Sequence, residues 1–133
     1  MKVINSTTKT AIKKAAKQAG LDFVVLFGSA ARGKTHKYSD IDIAVKTKGP
    51  ISYYEEAGLR ENFCHIFGRG DVEVVNARGA SPLLMLQIGR DGVPLYEDKV
   101  GEFAKFRMYA FKRYVEAKPL YELRHKQLQK FLA

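Results

Sequence analysis

Asp40 and Asp42 stand one residue apart in an apolar run, with Ile41, Ile43, Ala44 and Val45 around them. On a strand, alternation points both carboxylates to one face. Two like charges side by side are costly without a counter-cation. Salt bridges from Arg32, Lys34 or Lys37 are one source of positive charge. A divalent metal held between the carboxylates and a nucleotide phosphate is the other. Upstream, Gly28 and Ser29 follow the apolar stretch ending at Phe27. The glycine allows a tight turn and close approach to a ligand. Ser29 can offer its N–H and hydroxyl to phosphate oxygens, although a Gly-Ser pair alone is most often a plain turn. Downstream, Asp71 and Glu73 repeat the one-residue spacing among Val72, Val74 and Val75. If the two acidic strands are neighbours, a third carboxylate joins the first pair. That set suits phosphoryl or nucleotidyl transfer, with magnesium activating an attacking hydroxyl and pyrophosphate leaving.

These residues need strands to align them and helices to cover the strands. Apolar spacing predicts an amphipathic helix over 8–19, with Ile12, Ala15, Ala16 and Ala19 on its buried face. Strands are expected over 22–27, 39–45 and 71–75, with a short extended piece at 93–96. A helical turn is expected at 30–32 and a turn at 46–50. Residues 51–67 read as a helix weakened at Gly58. Residues 81–90 read as a short helix, with Ser81 as cap and Pro82 in its first turn. Two further helices are expected, over 97–115 and 120–132, separated at Pro119. The alternation implies an α/β (α+β) layer, a small mixed sheet with flanking helices. The expectation is one domain over 1–133, its core at about 10–98 and its helical extension at about 97–132.

A hydrophobic content of 46% is enough for one core, and no apolar run approaches a membrane span. The first residues lack a signal-peptide core, so a cytoplasmic protein is expected. One cysteine, Cys64, excludes an internal disulfide framework and a multi-cysteine zinc site. The net charge of +9 favours polyanions or acidic protein partners. Between Lys99 and Lys130, nine Lys or Arg face three Glu. Nucleic acid is the less favoured partner, because no helix-turn-helix, zinc finger or aromatic RNA-binding motif accompanies the charge. His36 and His125 read as exposed, and His65 beside Cys64 lacks further zinc ligands.

The run GSAARGKTHKYSDIDIAV resembles the signature of the nucleotidyltransferase superfamily typified by DNA polymerase beta. Gly28-Ser29, the ten residues 30–39, and Asp40-Ile41-Asp42 reproduce its spacing. The short chain is similar to the minimal nucleotidyltransferases, which include antitoxins paired with helical HEPN toxins. The resemblance covers roughly residues 10–98. It implies that Gly28 and Ser29 bind phosphate and that Asp40 and Asp42 bind Mg²⁺ and act in catalysis. It places Arg32 and Lys34 in the loop beside the triphosphate. The third carboxylate falls at Glu73, where the family usually has Asp, and Asp71 is the competing choice.

The resemblance further implies transfer of AMP from ATP to a partner HEPN toxin. Neutralisation of the toxin by binding alone is the alternative, as is a transferase acting on RNA or a small molecule. The aromatic residues of 103–114, rimmed by Lys112 and Arg113, read as a surface for that partner or for self-association.

Overall fold

The computed structural model describes residues 4–31 and 40–133, excluding the side chains of residues 29 and 30. The elements in chain order are α1 (Ser6–Ala19), β1 (Leu21–Phe27), α2 (Gly28–Ala31), β2 (Ile41–Thr47) and α3 (Tyr53–Phe67). They continue with β3 (Val72–Asn76), α4 (Pro82–Asp91), β4 (Val93–Glu97) and α5 (Glu102–Leu132). The four strands form a mixed sheet in the order β3-β2-β1-β4. β1 runs antiparallel to both its neighbours, whereas β2 and β3 are parallel.

Strand alternation divides the core into two layers. Val24, Leu26, Ile41, Ile43 and Val45 pack with Ile12 of α1 and Phe63 of α3. Phe23, Val25 and Ala44 face the other way, onto Met85 and Ile88 of α4 and Phe103 and Phe106 of α5. Phe23 meets both α5 rings edge-on, at centroid separations of 5.4 and 5.3 Å. Gly92 lies where α4, β1 and α5 converge. A Cβ there would stand 2.6 Å from both Phe103 Cζ and Val25 Cγ1. The close approach of these three elements therefore depends on a missing side chain.

Local signals set most helix starts. Asn5 accepts from the Thr8 N–H at 2.8 Å, and Ser52 and Glu55 form a reciprocal capping box. Ser81 caps α4, with Pro82 in its first turn, as the sequence predicts.

Four differences from the sequence reading stand out, the other boundaries shifting by no more than two residues. β2 spans 41–47, so Asp40 directly precedes it and Lys46 lies within it, not in a turn. Antiparallel pairing with β1 extends to Thr47 opposite Leu21 and holds these residues in the sheet. α3 continues through Gly58, where tertiary packing of Phe63 offsets the modest helical cost of one glycine. Glu97 ends β4, and its side chain accepts from the Phe103 N–H at 2.9 Å, which delays the start of the last helix to Glu102. The two expected C-terminal helices are one 31-residue helix with Pro119 inside it. The carbonyl that Pro119 leaves without a donor is that of Val115, which is 51% exposed, so water can satisfy it.

No helix of the described residues is long and apolar enough to cross a membrane.

Candidate active site

β1 delivers the turn that meets the acidic strand. Its last residue, Phe27, pairs with Asp42 on β2, and Gly28 then turns the chain with φ +73°. A Cβ at Gly28 would collide with the Asp42 carboxylate, with Asp42 Cγ only 3.2 Å away. The absent side chain of Gly28 is what makes room for the Asp42 carboxylate against the turn.

β3 brings the second acidic pair alongside. Asp42 and Glu73 are direct partners in the parallel β2–β3 register. Strand alternation puts both on the sheet face that carries Ala44 and Val75. Asp40 sits one residue before β2, where Ile41 N–H bonds to the Asp71 carbonyl at 3.2 Å. Burial pushes the Asp42 carboxyl above its ordinary range, and the charges of Asp40 and Glu73 push it further. Asp40, Asp42 and Glu73 thus form one repulsive acidic group.

The fourth acidic residue has a different neighbour. Arg69 grips Asp71 through Nε at 2.7 Å and through a second guanidinium N–H. That pairing holds the Asp71 carboxyl below its ordinary value. Glu73 is 56% exposed and lies 3.7 Å from Arg60, a loose pairing.

The acidic group opens into a cavity of about 480 Å³. Phe27, Gly28, Asp42 and Glu73 line it from the sheet, and Gln87 and Arg90 from α4. Arg90 pairs with Asp91 at 3.1 Å. These α4 residues were missed by sequence reasoning. Their only signal is a polar end on an otherwise apolar helix, and their relation to Asp42 is purely tertiary.

The backbone of Ser29 belongs to α2. Arg32 and Lys34, expected beside the triphosphate, and His36 lie outside the described residues. Cys64 is half-buried, and its thiol donates to the Val72 carbonyl with Sγ 3.8 Å from the oxygen.

The chemistry of the acidic group fits a divalent cation. A cation would offset the burial and the repulsion that raise the Asp42 carboxyl, and oxygen donors suit magnesium. Among the described residues no ready-made shell of three acidic, His or Cys ligands is present. Glu73, turned toward Arg60, would have to swing inward to complete one.

A family model described as "Polymerase beta, Nucleotidyltransferase" matches residues 9–100. A protein adenylyltransferase MntA of Aphanizomenon flos-aquae (strain 2012/KM1/D3) is 27% identical over 122 residues, covering 84% of this chain and 81% of the relative. A protein adenylyltransferase MntA of Shewanella oneidensis is 33% identical over 76 residues, covering 57% and 54%. A solved toxin–antitoxin structure with AMP-PNP superposes with a TM-score of 0.76 at 25% identity, covering 94% of this chain and 98% of that one. The fold also matches a chain in a complex of a tri-AMPylated Shewanella oneidensis HEPN toxin with an MNT antitoxin, with a TM-score of 0.70 at 23% identity, covering 95% of this chain and 97% of that one.

Proposed function

This chain belongs to the polymerase beta nucleotidyltransferase family, and on that premise we propose that it is a magnesium-dependent protein adenylyltransferase, an antitoxin that transfers AMP from ATP to a helical HEPN-class toxin. The observation that carries this reading is the acidic group at the Gly28 turn, where Asp42 is pressed against backbone and its carboxyl is raised above its ordinary range by burial and then by the charges of Asp40 and Glu73. The relatives named as protein adenylyltransferases and the fold match to an AMP-PNP-bound toxin–antitoxin pair support the donor and the partner. ATP for the proposed reaction is available in the cytoplasm, and the chain is assigned there.

Asp40, Asp42 and Glu73 would hold Mg²⁺, and Asp71 is set aside because Arg69 already engages it. Bound magnesium neutralises phosphate charge and favours ionisation of the acceptor hydroxyl. Gly28 and the backbone of Ser29 line the approach for the triphosphate, with no Cβ at Gly28 to obstruct it. Arg32 and Lys34, between Ser29 and Asp40 in sequence, would add positive charge for the triphosphate. The acceptor oxygen attacks the α-phosphorus, the bond to the bridging oxygen breaks, and pyrophosphate departs. With a cation bound, Asp40, Asp42 and Glu73 would position the triphosphate against the acceptor oxygen, which lowers the entropic part of the barrier.

A second reading is neutralisation by contact alone. It draws on the exposed apolar residues of α5, including Phe111, Val115, Leu123 and Phe131. The test is intact-mass analysis of the toxin after incubation with this chain, ATP and Mg²⁺, beside an Asp40→Asn, Asp42→Asn variant. Addition of adenylyl units by the wild type but not by the variant is the expected result. A stable, neutralising complex without any mass gain would replace transfer with occlusion.

A further inference from the structure

The cavity at the acidic group is the first of three that adjoin along the sheet margin through shared lining residues. It shares Val75 and Leu84 with a second cavity of about 490 Å³ beside β3. That cavity shares Arg78 and Gly79 with a third, of about 550 Å³, floored by Met85, Phe106 and Tyr109. β3 is an edge strand, so the trough follows a margin of the sheet that no further strand covers among the described residues. It leads from Asp42 and Glu73 to the first turns of α5. Along β2 alone, Asp42 and Lys46 mark a span of about 13 Å, at roughly 3.3 Å per residue. About four to six extended residues would fill the trough.

Its charges are arranged for a particular occupant. Lys46 is engaged by Asp22 at 2.7 Å. Arg78 and Lys105 are exposed and make no ion pair among the described residues. Two cations therefore flank an apolar floor at the end remote from the acidic group. Glu56 and Glu102 also line the trough. A phosphodiester chain, charged at every residue, would meet those carboxylates. A polypeptide can place acidic side chains on Arg78 and Lys105 and an apolar one between them.

We propose that this trough seats an extended acidic segment of the acceptor protein and delivers its hydroxyl to the Asp42 end. The inference rests on the adenylyltransferase reading for the identity of the acceptor, but its test does not require catalysis.

The test is fluorescence anisotropy without ATP, using a fluorescein-labelled Glu–Tyr copolymer, with oligoadenylate as competitor. The proteins are the wild type, Arg78→Glu/Lys105→Glu, Asp40→Asn/Asp42→Asn, and Lys13→Glu/Lys17→Glu. The last pair carries the same charge change on the exposed face of α1. The trough variant should bind about tenfold more weakly or worse, as expected for losing close charge pairs. The α1 variant should stay within about twofold of wild type, and Asp40→Asn/Asp42→Asn, which removes negative charge from the far end of the trough, should bind at least as tightly as wild type. Thermal melting should show all four folded. Equal weakening by the α1 reversal would reduce the effect to net charge and overturn the proposal. So would an unchanged affinity in the trough variant. Tighter binding of oligoadenylate, lost in that same variant, would reassign the trough to nucleic acid. Binding that persists while AMP transfer fails would sink the transferase reading and leave the trough standing.

Discussion

Gly28 and Asp42 fit together through the absence of a side chain. The glycine adopts φ +73°, and a Cβ on it would overlap the Asp42 carboxylate. Gly28→Ala therefore introduces backbone strain and displaces an acidic side chain in one step. Strain in the left-handed region costs about 1–3 kcal/mol. The expected outcome is a stability loss of that size by urea unfolding. Magnesium should also lose its capacity to raise the melting temperature. A variant that melts earlier but still responds fully to Mg²⁺ would show that Asp42 can move aside without harm.

Asp42→Asn separates the site from the fold. In EDTA at pH 7 the variant should melt above the wild type, because a buried carboxylate beside Asp40 and Glu73 destabilises the folded state. The folded-state pKa is raised, so the folded protein binds protons more readily than the unfolded chain. The advantage of the Asn variant is thus complete above the raised folded value. It fades as pH falls through that value and is gone below the ordinary 3.8. With Mg²⁺ the order should reverse. Transfer activity should fall at least about 100-fold, given several kcal/mol of charge stabilisation from the cation.

Glu73 and Asp71 can be told apart by paired substitutions. Glu73→Gln removes the charge in register with Asp42. It should lower AMP transfer at least about tenfold, equivalent to about 1.4 kcal/mol. Asp71→Asn removes a partner of Arg69 on a partly exposed surface. Transfer should then stay within about threefold of wild type, and stability should fall by less than about 1 kcal/mol. Steady-state rates with a saturating acceptor decide between them, and the opposite ranking would make Asp71 the third carboxylate.

The parts of this site that were legible in sequence are those written in local periodicity. Alternation around Asp40–Val45 and Asp71–Val75 marked two strands with acidic residues, because a strand repeats every two residues. Their adjacency was only a condition, since the parallel register of Asp42 with Glu73 joins segments 31 positions apart. Gln87 and Arg90 were invisible as site residues for the same reason. Pro119 misled in the opposite direction. A proline reads locally as a break, but on a solvent-facing helix water can take the place of the lost hydrogen bond, and α5 runs through it. The ion pairs of Asp22 with Lys46 and Lys48, 24 and 26 positions away, left no local trace either.

Those ion pairs anchor the sheet at the end opposite the acidic group, and they make a pH-dependent prediction. Asp22 accepts from Lys46 and Lys48, each at 2.7 Å, and Lys48 also reaches Asp98 at 3.1 Å. Burial alone would raise the Asp22 carboxyl, but the two lysines outweigh it and hold the carboxyl below its ordinary 3.8. The ionised form is therefore favoured by folding. Its contribution is fully present above pH 3.8 and is lost as pH falls through the lower folded value. The Asp22 side chain is only 12% exposed, whereas Lys48 is 57% exposed, so water screens part of the interaction. Asp22→Asn should then cost about 1–2 kcal/mol at pH 7, near the lower end for hydrogen bonds to charged groups. Urea unfolding at a series of pH values checks the sign. The gap between wild type and variant should be constant from pH 7 to about 5 and should narrow below the ordinary carboxylate range. A gap that persists undiminished in acid would assign the effect to packing of Asp22 rather than to its charge.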